Sequence, residues 1–542
     1  MVQERREKVS SAVQPGEIRL AAEASPVSGA RARARRGVSA WLVPDIALLT
    51  AAFSLFFCLF LFEAPWKLFR DSDTGWHIVT GERILATGEL PRNDPYSFTR
   101  AGEPWFAWEW GADVIMGLAH RAGGPRGVAL LYLTAIAACT WLWFRLHWAA
   151  GGDFLLACAM AAPLLSTVNL HWLARPHVLS WVLALAALWY AERVPARFAW
   201  RQALGIALAT AIWANVHGSF FFAPAIAMAY AAHHSLRPLI WDLDRSTEWA
   251  RARWFALAAL ASALGSLINP YGWQLHAHVA RYLAGGELLA RVGEFQSFNF
   301  HAEGSAQILV GLGLAAIGGV LALGQKNIAH CLLTAALLAM ALRSARALPV
   351  SALLLLPLAN GAITEALGGW RGLRPGLRRR LDAVLRYSAN LRTLDRGFHG
   401  AALVPVLLLL AVVALRIPGL AKTVGFPQDQ FPVLAAAHVE RLPAAARLLA
   451  PDMYGGYLIY RFQGARKVFF DGRSDFYGIG FMKDYIKLVQ VRPGWQEQMK
   501  RFGFTHALLP NEYSLLAALE QAGWRRMHRD KVATLLEGPS AN

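Results

Sequence analysis

Long apolar segments recur along the chain, and they constrain its fold more than any other feature. Only 17% of residues are charged and 56% are hydrophobic, whereas a soluble domain carries about a quarter charged residues. Most segments approach the roughly 20 residues with which an α-helix crosses a bilayer. The sequence therefore predicts a polytopic α-helical membrane protein. About eleven transmembrane helices are predicted, at 41–63, 127–147, 154–173, 177–192, 203–216, 219–234, 254–269, 306–323, 327–342, 347–363 and 401–417.

The chain is strongly basic, and its arginines are concentrated in some of the loops between apolar segments. The net charge is +18, and arginines cluster in 193–202, 235–253 and 364–400. Because cytoplasmic loops of membrane proteins carry such an excess, the charge indicates contact with membrane lipids rather than with nucleic acid. We expect a bacterial cytoplasmic (inner) membrane protein with its N-terminus inside and its C-terminus outside.

The chain divides into three parts of different character. Residues 1–40 are a basic tail expected in the cytoplasm, and residues 41–417 are the transmembrane domain, with a long outer loop at 64–126. Residues 418–542 alternate short apolar runs with helical stretches, which is typical of a small soluble α/β domain. Strands are predicted there at 467–470 and 506–509, and helices near 433–441, 479–491 and 513–522.

The outer loop after the first helix carries two carboxylates, Asp71 and Asp73, followed by Trp76 and His77. At the membrane surface, such carboxylates can act as a general base, bind a divalent cation or hold a sugar hydroxyl. A structural interpretation is also open, because Asp73 is well placed to cap a helix starting at residue 74. Glu109 lies between two tryptophans in the same loop, which suits sugar binding by stacking and hydrogen bonding.

Further polar side chains are predicted at the same outer ends of the helices. A single ionisable residue at a helix end often only extends toward the interface. Several pairs, on the side that also holds the acidic loop, indicate a cavity in which arginine could bind the phosphate of a lipid carrier. The pairs are Arg175 and His177, Asn215 and His217, and Arg343 and Arg346.

With an Asp-x-Asp motif in its first outer loop, the chain resembles the GT-C superfamily of polytopic membrane glycosyltransferases, which includes oligosaccharyltransferase and protein O-mannosyltransferases. The stretch 88–99, Glu109 and the Asn-Pro-Tyr-Gly motif at 269–272 also resemble bacterial membrane proteins of this type. The resemblance implies a sugar donor linked to a polyprenyl phosphate or diphosphate. It also implies that Asp71 or Asp73 is the catalytic carboxylate or a metal ligand, with Mg²⁺ or Mn²⁺ left open.

Two C-terminal motifs extend the resemblance loosely. Met-Tyr-Gly-Gly-Tyr at 453–457, followed by Asp-Gly-Arg at 471–473, is similar to the acceptor-reading Trp-Trp-Asp-Tyr-Gly region of oligosaccharyltransferase. The Trp-Trp-Asp part is absent, which argues against recognition of a peptide sequon. The run 471–475 is explained equally well as a turn after a strand.

The predicted function is transfer of a sugar from a polyprenyl-phosphate donor to a lipid, glycan or protein acceptor at the outer membrane face. The loop carboxylate deprotonates the acceptor hydroxyl, and arginine or a metal holds the leaving phosphate. Asp73 is favoured over Asp71, and its position at a helix N-terminus predicts a low pKa. The alternative is a lipid or polysaccharide transporter or a scaffold. A transporter should place charges at the bilayer midplane, whereas these polar residues cluster at one end.

Overall fold

The computed structural model describes residues 38–61, 65–194 and 198–539, so that most of the predicted tail 1–40 lies outside the described residues. In chain order, the longer helices are α1 (Ile46–Phe56, continued to Leu61), α2 (Asp73–Thr87), α3 (Trp110–Gly123), α4 (Pro125–Ala149), α5 (Phe154–Val168), α6 (Pro176–Ala191), α7 (Trp200–Val216), α8 (Phe222–Ile240), α9 (Arg245–Ser266), α10 (Trp273–Ala284), α11 (Ser305–Gly324), α12 (Ile328–Arg343), α13 (Leu348–Gly369), α14 (Pro375–Asp395), α15 (Val404–Ala414), α16 (Val433–Glu440), α17 (Asp452–Arg461), α18 (Ser474–Val489), α19 (Trp495–Phe502) and α20 (Ser514–Gln521). The strands are β1 (Leu448–Leu449), β2 (His506–Pro510), β3 (Arg525–Arg529) and β4 (Ala533–Glu537).

Each predicted transmembrane segment overlaps one helix of the structure, namely α1, α4 to α9, α11 to α13 or α15. By length and composition, five helical segments of the described chain can cross a membrane: Val38–Leu61, Pro125–Ala149, Phe154–His171, Ser305–Gly324 and Ala345–Gly369. Three further apolar helices are shorter: Pro176–Ala191, Ile328–Arg343 and Ala401–Ala414. The helical membrane fold is therefore confirmed, and the total of eleven crossings stays a prediction.

The basic helix α14 lies at the end of the helical bundle where α1 and α5 begin. The Asp395 carboxylate accepts a hydrogen bond from the backbone N–H of Ile46 at 2.7 Å, and the Ser388 hydroxyl accepts one from Phe154 at 3.0 Å. The acidic loop 64–126 follows the opposite end of α1. Basic helix and acidic loop thus lie at opposite ends of α1, as the predicted orientation requires.

The orientation itself is testable with reporters fused after residue 542. We expect alkaline phosphatase to be active there and green fluorescent protein to stay dark, because the arginine excess should keep the α14 end in the cytoplasm. The same reporters inserted at 364–400 are the matched control and should give the reverse pattern. A fluorescent C-terminal fusion would place the acidic loop in the cytoplasm and contradict the orientation.

Outside the membrane helices, the loop 64–126 forms two helices that cross at glycines. A Cβ atom on Gly81 of α2 would lie 1.8 Å from the carbonyl oxygen of Asp113 in α3. No side chain larger than hydrogen fits at this crossing. The helix predicted to start at residue 74 is confirmed as α2, which ends at Gly88 with a positive φ of 71°, a conformation that favours glycine. The crossing fixes α2, and with it Asp73, relative to α3.

The C-terminal part forms a four-stranded sheet in the order β1-β2-β4-β3, with β1 and β2 parallel and the other pairs antiparallel. The strand predicted at 506–509 is confirmed as part of β2, and α16, α18 and α20 overlap the predicted helices. The strand predicted at 467–470 is wrong. Val468 pairs instead with the outer loop, donating to Tyr96 at 2.9 Å and accepting from Phe98 at 3.0 Å.

The C-terminal domain docks onto the acidic loop through a close glycine contact. A Cβ atom on Gly75 of α2 would lie 2.2 Å from the carbonyl oxygen of Gly456 in α17, and one on Gly456 would lie 2.2 Å from that of Ser72. Around this contact, Trp76 of α2 shares a buried apolar cluster with Tyr457. The motif at 453–457 therefore packs directly against the Asp-x-Asp motif.

Candidate active site

A cavity of about 1520 Å³ lies between the ends of the membrane helices, the outer loop 64–126, a second long segment at 270–305 and the C-terminal domain. Most of the predicted site residues line it: Asp71, Asp73, Trp76, Glu109, Arg175, His177, His217, Arg343 and Arg346. Two do not. His77 is fully buried behind the cavity wall, and the side chain of Asn215 forms hydrogen bonds with Trp110 and Ile268. The structure thus brings most of the predicted residues together around one cavity, although they are spread over nearly three hundred positions of the chain.

Arg175 joins the two carboxylates of the Asp-x-Asp motif. Its guanidinium lies 2.8 Å from Asp71 Oδ2 and 2.9 Å from Asp73 Oδ2. The second oxygen of Asp71 accepts a hydrogen bond from the backbone N–H of Asp73 at 2.9 Å. Asp71 therefore accepts the hydrogen bond of the first backbone N–H of α2. The interpretation of Asp73 as the helix cap is wrong. Asp73 is the first residue of α2, and its carboxylate faces Arg175.

The C-terminal domain covers Asp73. A Cβ atom on Gly472 would lie 1.9 Å from Asp73 Oδ1, so only glycine allows this approach. Burial raises the pKa of Asp73 to about 7, with the neighbouring carboxylates Asp71 and Glu294 adding to the rise and Arg175 opposing it. The low pKa predicted for Asp73 is therefore wrong, because desolvation outweighs the favourable helix N-terminus.

Glu109 lies between two histidines. Its Oε1 is 3.5 Å from His217 Nε2 and its Oε2 is 3.9 Å from His77 Nε2. The backbone N–H of Ser219 donates to His217 Nδ1 at 3.1 Å, so the proton of neutral His217 is on Nε2 and faces Glu109. His77 is held from its other side by Asp113 at 2.6 Å. Burial raises the pKa of Glu109 to about 7, which gives the cavity a second carboxyl group able to exchange a proton near neutral pH.

Sequence reasoning missed Glu294, a carboxylate of the outer segment 270–305. It pairs with Arg346, lies 3.6 Å from Arg175 Nη1 and is 3.9 Å from His171 Nε2. Although burial raises the pKa of Glu294, Arg346 and Arg175 together lower it to about 2. Glu294 therefore stays charged and neutralises part of the arginine charge. A single carboxylate in a long segment gave no signal by which it could have been found.

The remaining predicted residues have different surroundings. Arg343 is exposed in the cavity wall, and within the described chain no carboxylate lies within ion-pair distance of it. His177 Nε2 donates to the carbonyl of His171 at 2.9 Å. Asn215 accepts from the Trp110 indole at 2.7 Å and donates to the carbonyl of Ile268 at 2.8 Å. Asn215 thus holds the outer loop against α7 and α9. Of the three predicted arginines, Arg175 and Arg346 are paired with carboxylates, whereas the charge of Arg343 remains available.

The motif at 471–473 joins the two parts of the protein that lie outside the membrane helices. The buried Arg473 contacts both oxygens of Asp471 at 2.7 Å and reaches Asp94 of the outer loop at 2.8 Å. Its guanidinium lies over the ring of Trp105, 4.6 Å from the centroid. These contacts support a docking role for 471–473 and for the stretch 88–99, and they fix Gly472 over Asp73.

The Asp-x-Asp motif does not fit a divalent cation in this arrangement. The guanidinium of Arg175 fills the space between the two carboxylates, and a permanent positive charge there opposes a dication at the same point. Among the residues that the structure describes, no group of three or more His, Cys, Asp or Glu side chains could hold a metal ion. Arginine is therefore the cation that the chain itself supplies.

Neither a protein-family model nor a curated protein sequence matches the chain. Among solved structures, it is similar to the archaeal oligosaccharyltransferase AglB from Archaeoglobus fulgidus in complex with an inhibitory peptide and a dolichol-phosphate. The TM-score is 0.53 at 9% identity, over 86% of this chain and 69% of that one. The apo form of the Archaeoglobus fulgidus enzyme gives 0.51 at 11% identity over the same shares. ArnT from Cupriavidus metallidurans, bound to undecaprenyl phosphate, gives only 0.38 at 12% identity, too low to support an argument. The likeness shows that the chain shares its fold with the archaeal enzyme, which agrees with the fold that the resemblance implied.

Proposed function

We propose that the chain transfers a sugar from a polyprenyl-phosphate-linked donor to an acceptor at the outer face of a bacterial cytoplasmic membrane. The observation that carries this proposal is the cavity, in which Asp73 and Glu109 face arginines beside the ends of membrane helices. Carboxyl groups with a pKa near neutrality suit proton abstraction from a hydroxyl. Arginine suits a phosphate that remains in the membrane. The fold shared with archaeal oligosaccharyltransferase supports the same reaction class.

The reaction follows from these groups as a single displacement. The ionised carboxylate of Asp73 takes the proton of an acceptor hydroxyl, whose oxygen attacks the anomeric carbon of the sugar. The bond from that carbon to the phosphate oxygen breaks, and the electron pair stays on the phosphate, where Arg343 stabilises the charge. Attack opposite to the leaving group inverts the anomeric configuration. Glu109 lies in the same cavity and serves as the alternative proton acceptor.

The proposal is tested with the purified full-length protein in liposomes. A panel of radiolabelled polyprenyl-phosphate hexoses serves as donors, and fractionated bacterial envelope lipids, glycans and proteins serve as acceptors. We expect label to move from one donor to one acceptor class with release of free polyprenyl phosphate. The proposal would be contradicted if no donor in the panel gave labelled acceptor or free polyprenyl phosphate and the protein also failed to bind undecaprenyl phosphate.

The transfer rate should depend on pH through the raised pKa of the cavity carboxyls. Burial raises the pKa of Asp73 and of Glu109 to about 7, and the base is active only when deprotonated. We therefore expect the rate at saturating donor to increase about tenfold per pH unit below pH ~7 and to level off above it. A flat rate between pH 5 and pH 8 would mean that the base is ionised throughout and would contradict the assignment.

Donor binding should depend on Arg343 more than on Arg346. Both line the cavity, but Arg346 is paired with Glu294, which already neutralises it. We expect Arg343→Gln to weaken binding of undecaprenyl phosphate about tenfold, the value of one charge-assisted hydrogen bond, and Arg346→Gln to weaken it less.

The matched control is Arg416→Gln, since Arg416 is an exposed arginine at the end of a membrane helix but outside the cavity lining. Titration of each variant with fluorescent undecaprenyl phosphate measures the affinity. Unchanged affinity in both single variants and in their double variant would remove the phosphate site from these arginines.

A further inference from the structure

A second pocket, of about 930 Å³, lies beside the active-site cavity. Helix α18 forms the wall between them. Its side chains Met482 and Tyr485 line the cavity, whereas Lys483 and Lys487, on the neighbouring face of the helix, line the second pocket. Arg291, Ile486 and Gln490 line both spaces. A molecule that leaves the cavity along these shared side chains therefore enters the second pocket.

The second pocket is strongly basic. Its cations come from four separate parts of the chain: Arg100, Arg291, Lys483, Lys487, Arg492 and Arg501. The fold has to bring these parts together, so that the charge is not simply the solvated face of one helix. Arg100, for example, reaches the pocket from the outer loop and is held by the carbonyl oxygen of Tyr477 at 3.0 Å. Positive groups assembled in this way raise the local concentration of anions.

Carboxylates neutralise only part of this charge. Asp484 pairs with Arg501 at 2.7 Å, Glu287 pairs with Lys483 at 2.6 Å and with Arg291 at 3.5 Å, and Glu103 pairs with Arg100 at 2.7 Å. Three carboxylates thus pair with four of the six positively charged side chains.

The two cations that remain are Lys487 and Arg492. Both are exposed, and among the described residues no carboxylate lies within ion-pair distance of either. Their charges are therefore available to a ligand.

We propose that this pocket binds an anionic group, a phosphate or a carboxylate, on a glycan acceptor whose hydroxyl lies in the adjoining cavity. This inference rests on the proposed function and specifies its acceptor as an anionic glycan. Charge-assisted hydrogen bonds from lysine and arginine are the contacts that such groups prefer.

Anionic lipid headgroups suit the pocket less well. A surface that meets a membrane combines basic residues with exposed apolar side chains. The aromatic residue of the pocket, Phe481, is buried. The large apolar side chains that the C-terminal domain exposes, Leu434, Met453 and Met527, do not line the pocket. The aliphatic residue of the pocket, Ile486, is only partly exposed. The pocket therefore offers charge and its connection to the cavity rather than an exposed apolar edge for membrane contact.

The test compares two probes that differ only by one phosphate group, mannopentaose and mannopentaose 6-phosphate, each with a fluorescent label. The full-length protein is reconstituted in phosphatidylcholine nanodiscs. We expect it to bind the phosphorylated probe about tenfold more tightly, as one charge-assisted hydrogen bond provides, and the double variant Lys487→Gln/Arg492→Gln to lose this preference. The control Arg441→Gln/Arg529→Gln removes two exposed arginines of the same domain outside both pockets and should keep it.

Because the readout is binding, it separates this proposal from the transfer reaction. Asp73→Asn should keep the preference for the phosphorylated probe even if it transfers nothing, so a failed transfer assay leaves this result intact. Equal binding of the two probes, or a preference that survives in the Lys487→Gln/Arg492→Gln variant, would overturn the proposal. A preference that disappears in phosphatidylglycerol nanodiscs would assign the pocket to lipid headgroups and overturn it as well.

Discussion

Asp73→Asn should lower the rate of sugar transfer at least ~10²-fold, the usual contribution of a general base, while the protein folds normally. The amide has the shape of the carboxylate but cannot take up a proton near neutral pH. Folding should not suffer, because Asp71 and not Asp73 accepts the hydrogen bond at the start of α2. The measurements are the transfer rate at saturating donor and the thermal midpoint in detergent.

Two neighbouring variants serve as controls for this result. Asp71→Asn retains an oxygen that can accept the backbone hydrogen bond of Asp73, and Asp71 is farther from the covering Gly472, so we expect a smaller loss of rate. Glu109→Gln tests the second carboxyl of the cavity. If Asp73→Asn transfers sugar at near the parent rate and Glu109→Gln does not, the base is Glu109, and Asp73 serves only to position Arg175.

The positions of the helices could be predicted from the sequence because their signal is local. An apolar stretch of membrane-spanning length gives a helix whatever surrounds it, and Gly88 ends α2 through its own positive φ. The convergence of Arg175, His217 and Arg346 with the Asp-x-Asp motif was also predictable, since the predicted order of crossings places all of them at the same end.

Features that depend on distant partners could not be predicted. The stretch 467–470 has the composition of a strand, but the backbone hydrogen bonds of Val468 go to the outer loop. The raised pKa of Asp73 arises from burial under the C-terminal domain, of which Gly472 touches the carboxylate. Glu294 was missed because its role depends on ion pairs with Arg175 and Arg346, which come from other loops. In each case the property depends on a tertiary contact, which the local sequence does not reveal.

Arg175→Ala should cause the largest loss of stability of any single change at the site, about 3–5 kcal/mol in the free energy of unfolding, as expected when one partner of a buried ion pair is removed. The Arg175 side chain is only 11% exposed, and it contacts Asp71, Asp73 and Glu294. Without it, these carboxylates remain buried and lose a shared cation. Thermal unfolding in detergent, followed by tryptophan fluorescence, measures the effect.

The sign of the pH dependence identifies the cause of this loss. Burial raises the pKa of Asp73 although Arg175 opposes the rise, so without Arg175 its folded-state pKa should lie still further above the unfolded value of about 3.9. The folded state then binds more protons than the unfolded state, and stability falls as pH rises. The defect of Arg175→Ala should therefore be larger at pH 8 than at pH 5. Adding Asp73→Asn should restore part of the stability, because it removes one unpaired charge. Arg175→Lys keeps the charge but cannot bridge both carboxylates in the same way, and it should be intermediate. A variant Arg175→Ala as stable as the parent at pH 8 would mean that water satisfies the carboxylates, and that Arg175 does not hold the site together.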